Sequence, residues 1–215
     1  LDVYVSCFAG VNLLHRNNGT GQFRSIPGAL GMASDGASIA ALPADADGDG
    51  RLDLYVINAL NQANQLYMSR GAGADTRYRE TTSAAGLDVA GNSSGGAWGD
   101  FDNDGDEDLL VSNVAMPIQV YRNDGDASFT DVTGAAVDVA QLPGAGTTGV
   151  AIDDIDRDGD IDVFLTSPRN NDVLLVNDGA EGGWLRIDMQ GAGVQVGTRI
   201  ETVSDGRRQV RELAA

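Results

Sequence analysis

Three aspartate ladders constrain this chain more than any other feature. They run Asp45-Ala46-Asp47-Gly48-Asp49-Gly50-Arg51-Leu52-Asp53, Asp100-Phe101-Asp102-Asn103-Asp104-Gly105-Asp106-Glu107-Asp108 and Asp154-Ile155-Asp156-Arg157-Asp158-Gly159-Asp160-Ile161-Asp162. Each has aspartate at positions 1, 3, 5 and 9 and glycine at position 6. Carboxylates this close repel one another unless a cation offsets them, and hard oxygen donors in a flexible loop suit Ca²⁺. Glycine at position 6 permits the sharp turn that aims the oxygens inward. The alternative, three solvated acidic turns, leaves a ligand spacing repeated in register unexplained.

An EF-hand is excluded, because it needs a bidentate Glu at position 12 and a helix on each side. Position 12 here is Val56, Val111 and Leu165, each inside an apolar run that reads as a strand: 52–57, 109–114 and 161–166. Asp53, Asp108 and Asp162 at position 9 close the cage instead, and the sites fall on turns between strands.

Short β-branched runs separated by Gly, Asn and Asp dominate the 215 residues, which is the all-β pattern. The formal net charge is −18, from 14 basic and 32 acidic residues, and nearly half of the acids lie in the ladders. Three Ca²⁺ ions would bring the charge to about −12 by simple addition. No basic stripe exists to release counterions, so nucleic acid is excluded as a partner, and an anionic membrane surface is disfavoured on the same ground. No apolar run reaches the length of a transmembrane helix. Cys7 is the only cysteine, so no intrachain disulfide forms. Its place in the apolar run 3–8 predicts a buried, inert thiol. Calcium sites of this kind need the Ca²⁺ supply of the cell exterior, which predicts an extracellular or cell-surface location. Leu1 is not a start methionine, so the expectation is a processed product, a fragment or part of a longer chain.

The ladders belong to a repeat. Asp53 to Asp108 is 55 residues, Asp108 to Asp162 is 54, and Asp2 lies 51 before Asp53. Asp2-Val3-Tyr4-Val5, Asp53-Leu54-Tyr55-Val56, Asp108-Leu109-Leu110-Val111 and Asp162-Val163-Phe164-Leu165 align, which makes Asp2 the last position of a fourth ladder. A further strand follows in each unit at 13–15, 65–68, 118–121 and 173–176, and then an aromatic opens another: Phe23, Tyr78, Phe129 and Trp184. A strand of small residues precedes each complete ladder, at 36–40, 95–98 and 148–151, and would let neighbouring units crowd together near an axis. Four strands in a unit of this length is the pattern of a propeller blade.

These residues resemble the FG-GAP/VCBS repeat family, whose calcium-binding propellers form the heads of integrin α-subunits and occur in many bacterial surface proteins. The resemblance covers about residues 1–180 and is carried best by Trp98-Gly99-Asp100-Phe101-Asp102-Asn103-Asp104-Gly105-Asp106-Glu107-Asp108-Leu109. It implies an all-β propeller of about four blades, each of four antiparallel strands, with a Ca²⁺ loop between the first and second strands. It implies about three Ca²⁺ sites: Asp45, Asp47, Asp49, Asp53 and the Arg51 carbonyl; Asp100, Asp102, Asp104, Asp108 and the Asp106 carbonyl; Asp154, Asp156, Asp158, Asp162 and the Asp160 carbonyl. The tail from 183 through 213 resembles the start of an ASPIC/UnbV segment, which follows such repeats in bacterial surface proteins.

The units expected within one propeller domain are about 1–35, 36–90, 91–145 and 146–190, with 191–215 as closing or exchanged strands. FG-GAP propellers usually have more blades, so a piece of a larger ring and a small complete ring both remain open. In the small ring, strand 207–213 supplies the missing strand of the first blade. The same strand given to a neighbouring molecule would build a filament.

Catalytic constellations are absent. His15 is the sole histidine, reads as a surface or blade-edge side chain, and has no Gly-x-Ser-x-Gly elbow to serve. The glycine-rich stretches 71–73 and 144–146 lack a phosphate-binding lysine or a following helix. The carboxylates outside the cages, Asp153, Asp188, Glu80, Glu181, Glu201 and Glu212, show no pairing pattern. Asn18-Gly19-Thr20 and Asn92-Ser93-Ser94 are sequons, which makes Asn18 and Asn92 candidate glycan acceptors. The expectation is a non-enzymatic, calcium-stabilised structural or adhesive protein whose partner is itself or another surface protein or glycan. A ligand-binding module of a larger protein and a propeller-type polysaccharide lyase are the alternatives.

Overall fold

The apolar runs flanking each acidic turn form strands in the computed structural model: sixteen of them among the described residues, with one turn of helix. The structure describes residues 2–26, 28, 31–32, 34, 36–71, 76–88, 91–137, 146–179, 187, 198–204 and 207–212. Four sheets follow one another along the chain, each an antiparallel meander in sequence order. The first holds β1 (Val3–Val5), β2 (Leu13–Asn17) and β3 (Phe23–Ile26). The second holds β4 (Ser38–Ala44), β5 (Asp53–Asn58), β6 (Gln65–Arg70) and β7 (Arg77–Glu80). The third holds β8 (Ser93–Gly99), β9 (Asp108–Asn113), β10 (Gln119–Asn123) and β11 (Phe129–Asp131), followed by α1 (Thr133–Ala136). The fourth holds β12 (Gly149–Asp153), β13 (Asp162–Thr166) and β14 (Val173–Leu175). A separate hairpin pairs β15 (Arg199–Ser204) with β16 (Arg207–Glu212).

Strand alternation decides how the sheets stack. Successive side chains point to opposite faces, so a strand with both faces buried carries an unbroken apolar run, as residues 54–57 of β5 and 109–111 of β9 do, every residue of both strands being buried. Leu54 and Val56 face the first sheet, where they pack with Leu14, Met32, Tyr4 and Ile26. Tyr55 and Ile57, one residue out of phase, face the third sheet and meet Leu109, Val111, Tyr121 and Phe129. Leu110 and Val120 then face the fourth sheet, against Val163 and Leu165. Three apolar layers thus bind four sheets in series, which is the propeller-like arrangement the repeat predicts.

The small-residue strands lie where neighbouring sheets come closest. β8 contacts β4 and β5 on one side and β12 on the other. A Cβ at Gly96 would stand 2.5 Å from the Leu110 carbonyl and 3.2 Å from the tips of Ile57 and Leu42. Close by, Trp98 sets its ring edge-on to Tyr55 at 6.0 Å and donates its indole N–H to the Leu42 carbonyl.

Several expectations change. Four strands per unit hold for the second and third sheets, whereas the first and fourth show three among the described residues. Trp184, the aromatic expected to open the fourth unit's last strand, lies outside the described residues, as do residues 144–145, Glu181 and Asp188 and most of the tail resemblance. The closing strand expected at 207–213 is, as β16, paired with β15 rather than with β1 among the described residues, because the strand adjacent in sequence meets it first. Cys7 is half-buried rather than buried: it lies past the end of β1, where its N–H donates to Asn12 Oδ1.

Filling the tight position should be costly and filling an open one should not. Gly96→Val is expected to destabilise the protein by about 1–3 kcal/mol through overpacking. Gly134→Ala, which meets no atom within 4 Å in α1, is expected to leave stability unchanged or raised by less than about 1 kcal/mol. Urea unfolding midpoints of the two variants check both.

Candidate metal centres in the acidic turns

Each complete ladder is the turn between the first two strands of its sheet: β4 and β5, β8 and β9, β12 and β13. The backbone is left-handed twice in every one. At position 6 φ is +85° for Gly50, and +101° for Gly105 and Gly159, so glycine there is a conformational requirement. At position 4 φ is +69° for Gly48, +57° for Asn103 and +69° for Arg157. Sequence reasoning missed this second constraint, because Gly, Asn and Arg share no obvious feature. Only the first two tolerate the conformation readily, and Arg157 is strained.

The carboxylates fall into two groups. Oxygens of positions 1, 3 and 9 converge within 4.8 Å of one another in all three turns: Asp45, Asp47 and Asp53; Asp100, Asp102 and Asp108; Asp154, Asp156 and Asp162. Position 5 stands outside these trios. Asp49, Asp104 and Asp158 each accept the backbone N–H of position 7 at 2.9, 2.9 and 3.0 Å. Of the position-7 residues, Arg51 turns its guanidinium onto Asp49, and Asp160 accepts from Asn103 Nδ2 at 2.7 Å. Asp106 is half-buried and donates its N–H to Asp104.

Position 9 is the structural anchor. In each turn one oxygen accepts the N–H of position 2: Asp53 from Ala46 at 3.1 Å, Asp108 from Phe101 at 3.0 Å and Asp162 from Ile155 at 2.9 Å. The other oxygen accepts an N–H from the far end of the next strand, at Ser69 and Asn123, or from just beyond it, at Asn177. Asp2 repeats the second bond with Asn17, which supports its reading as a fourth position 9. Burial pushes the Asp53 and Asp108 carboxyls up to about 7, despite those backbone donors. Burial and the neighbouring aspartates also raise Asp45 and Asp102.

Position 1 shows what the trios need. Asp45 Oδ1 and Asp154 Oδ1 are buried and accept no hydrogen bond. A buried anionic oxygen without a donor is strongly unfavourable. Its nearest groups are two more carboxylates, so a cation fits where a hydrogen-bond donor is lacking. The donor set is all oxygen, which suits a hard ion.

Two further sets of residues frame the turns. Asn123 Nδ2 reaches back to the Ala46 carbonyl at 2.9 Å, and Asn177 Nδ2 to the Phe101 carbonyl at 2.8 Å, so each sheet holds the turn of the sheet before it. A signal existed in the sequence: Asn17, Asn123 and Asn177 each stand 15 residues after a position-9 aspartate. The tail hairpin also touches the turns, through Gln209 Nε2 to the Gly105 carbonyl at 3.0 Å and Arg199 to the Gly50 carbonyl. Of the sequon residues, Asn18 is exposed in a turn whose Thr20 hydroxyl donates to its Oδ1, and Asn92 is half-buried with Oδ1 accepting the Leu60 N–H. His15 is half-buried on β2 opposite Val3 and belongs to none of the three metal-ligating groups found among the described residues.

A repeated antiparallel sheet with an oxygen cage at one end defines a class of repeat protein, and comparison identifies it. The FG-GAP-like repeat matches residues 1–56, 45–111 and 100–165. The chain belongs to this family. Among curated proteins it is 26% identical over 208 residues to cartilage acidic protein 1 of Mus musculus, a match covering 86% of this chain and 30% of that protein. The Homo sapiens protein of the same name is 25% identical over 201 residues, again covering 86% of this chain and 29% of the relative. The chain thus spans about a third of the length of these relatives.

The two anchoring roles separate by mutation. Asp108→Asn leaves one of two backbone N–H groups without an acceptor, and should cost about 1–3 kcal/mol already in chelator, with a weakened response to calcium besides because Asp108 belongs to the trio. Asp100→Asn keeps an acceptor for the Gly105 N–H and should leave the metal-free protein as stable or more so, while weakening its response to added metal. Chemical denaturation with and without metal distinguishes them.

The raised carboxyls also set a pH dependence for the metal-free protein. Asp53 and Asp108 move from 3.8 to about 7, so the fold binds more protons than the unfolded chain between those values. Their contribution is present below about pH 4 and is lost as pH rises through about 7. Thermal midpoints of metal-free Asp53→Ser and of the parent, compared across that window, should show the parent's relative stability falling as pH rises. A relative stability that rises instead would overturn the assignment.

Proposed function

We propose that this chain is an extracellular, calcium-stabilised propeller module that works through surface contacts rather than catalysis. The observation that carries the reading is one oxygen of the position-1 aspartate: Oδ1 of Asp45 and of Asp154 is buried without a donor, in a trio with two further carboxylates. Ca²⁺ accepts several carboxylates and a flexible loop, and family members of this kind commonly bind it. The ion supplies the positive charge that each trio lacks. The protein's own residues do the rest: position 9 fixes the turn to the strands, position 6 bends it, and Asn123 and Asn177 hold neighbouring turns together.

An extracellular setting is favoured by the family, by the likeness to cartilage acidic protein 1 and by the calcium supply such turns need. A non-catalytic role is favoured because the carboxyls with raised proton affinity are engaged by backbone amides within the turns. Adhesion to a surface protein or glycan is the contact function that fits such a module.

A second reading, a module for an acidic ligand, is favoured by one cleft of about 600 Å³. It draws Arg16, Arg51 and Arg199 together with Tyr78 and a single carboxylate, Asp2, which stands 3.8 Å from Arg16, in a chain of net charge −18. Binding of a sulfated oligosaccharide that weakens in Arg199→Ala supports this reading; equal binding by both proteins rejects it.

Titration of the metal-free protein with Ca²⁺ tests the main proposal. Saturable binding and a rise in thermal midpoint, reversed by chelator, are expected, by linkage of about 2.7 kcal/mol at a hundredfold excess over the dissociation constant. A midpoint indifferent to Ca²⁺ and chelator refutes it.

A further inference from the structure

We propose that the three acidic turns take up Ca²⁺ cooperatively, each turn being held ready by the turn of the following sheet through Asn123 and Asn177. This rests on the calcium reading and adds to it how one turn regulates the next. The sites themselves stand on more than acidity, since Oδ1 of Asp45, a residue only 7% exposed, is buried in its trio and accepts no hydrogen bond.

An unbroken line of hydrogen bonds joins the trios. Asp162 of the third turn accepts the Asn177 N–H at 2.9 Å. Asn177 Nδ2 donates to the Phe101 carbonyl at 2.8 Å, and the Phe101 N–H donates to Asp108 of the second turn at 3.0 Å. The other Asp108 oxygen accepts the Asn123 N–H at 2.8 Å. Asn123 Nδ2 donates to the Ala46 carbonyl at 2.9 Å, and the Ala46 N–H donates to Asp53 of the first turn at 3.1 Å. Every link lies between residues 46 and 177, inside the three units whose ladders are complete.

The position-9 aspartates make this line a coupling. Each is at once a member of its trio and the acceptor for two backbone segments. A turn therefore has two states: closed, with both bonds made, and locally opened, with both lost. Repulsion within a trio favours opening, and a cation favours closure. While the third turn is closed, Asp162 fixes Asn177, and Asn177 fixes the Phe101 carbonyl of the second. Part of the ordering that the second turn must undergo is then already done, which strengthens binding there. By linkage the second turn strengthens the third by the same factor.

A further bridge makes the coupling unequal along the chain. Asn103, at position 4 of the second turn, donates Nδ2 to Asp160 Oδ1, at position 7 of the third, at 2.7 Å. The first turn has Gly48 at position 4, with no side chain to offer Asp106 in the same way. The second and third turns are thus the more tightly coupled pair.

A Ca²⁺ series on the initially metal-free protein, followed by nuclear magnetic resonance, tests this. The amide signals of Gly50, Gly105 and Gly159 report the three turns separately. Asp154→Asn with Asp156→Asn removes two of the three charges of the third trio, and should raise the Ca²⁺ midpoint read at Gly105 about fivefold, with a smaller rise at Gly50. Asp100→Asn with Asp102→Asn is the reciprocal variant, and should raise the midpoint at Gly159 by a comparable factor. Asn103→Gly with Asn177→Ala removes both side-chain bridges, keeps every trio carboxylate and suits the left-handed backbone at 103. In that background the third-turn substitutions should leave the Gly105 midpoint unmoved. A Gly105 midpoint that ignores the third turn in the otherwise unaltered chain overturns the proposal, as does a shift that persists undiminished without the two bridges. Saturable signals with independent midpoints reject the coupling and leave the calcium reading standing. Signals that do not respond to Ca²⁺ at any of the three glycines reject both.

Discussion

The rest of the architecture depends on one carboxylate per unit. The position-9 aspartate starts a buried strand, accepts an N–H from the turn before it and another from the end of the strand after it. Three backbone segments are thereby fixed by a single side chain. The energetic difficulty is that the same side chain is buried and anionic, so it is stable only while its donors are in place and the charge around it is offset. Packing of the apolar layers and the chemistry of the turns are for this reason inseparable: the strand that supplies Leu109 and Val111 to the core is the strand that Asp108 begins.

The opposite end of the sheets has its own polar connection, without charge. Asn12 donates to Ser38, and Ser38 to Asn58, whose N–H is taken by Asn64. Asn64 donates to Ser93, and Ser93 to Asn113, whose N–H meets Thr147. This chain of neutral side chains crosses from the first sheet to the fourth. Buried polar groups are tolerable only when satisfied in this way, and satisfied networks specify a unique alignment. Each sheet is thus pinned at both ends, by carboxylates on one side and amides and hydroxyls on the other, with the apolar layers between.

Much of this was legible in the residues. The turns, the strand after each and the rejection of an EF-hand followed from ligand spacing and from apolar residues at position 12, and Val56, Val111 and Leu165 are indeed buried in strands. What escaped was set by tertiary contact. The left-handed residue at position 4 could not be read from Gly48, Asn103 and Arg157 together, since nothing local demands Arg157 there. That position 5 stands apart from positions 1, 3 and 9 depends on which carboxylate the position-7 amide captures. The pairing of β16 with β15 reflects proximity along the chain, whereas the sequence pattern pointed only to a strand in need of a partner. Cys7 sits in the apolar run 3–8, but β1 ends at Val5, two residues before it, and leaves it half-buried.

The equivalence of successive faces has an evolutionary consequence. Because every sheet meets its neighbours through the same registered positions, a duplicated or deleted unit leaves matching surfaces on both sides of the change. Chain length in such a lineage can vary by whole units without redesign of any junction, and selection acts on individual turns and loops while the joints between units stay interchangeable.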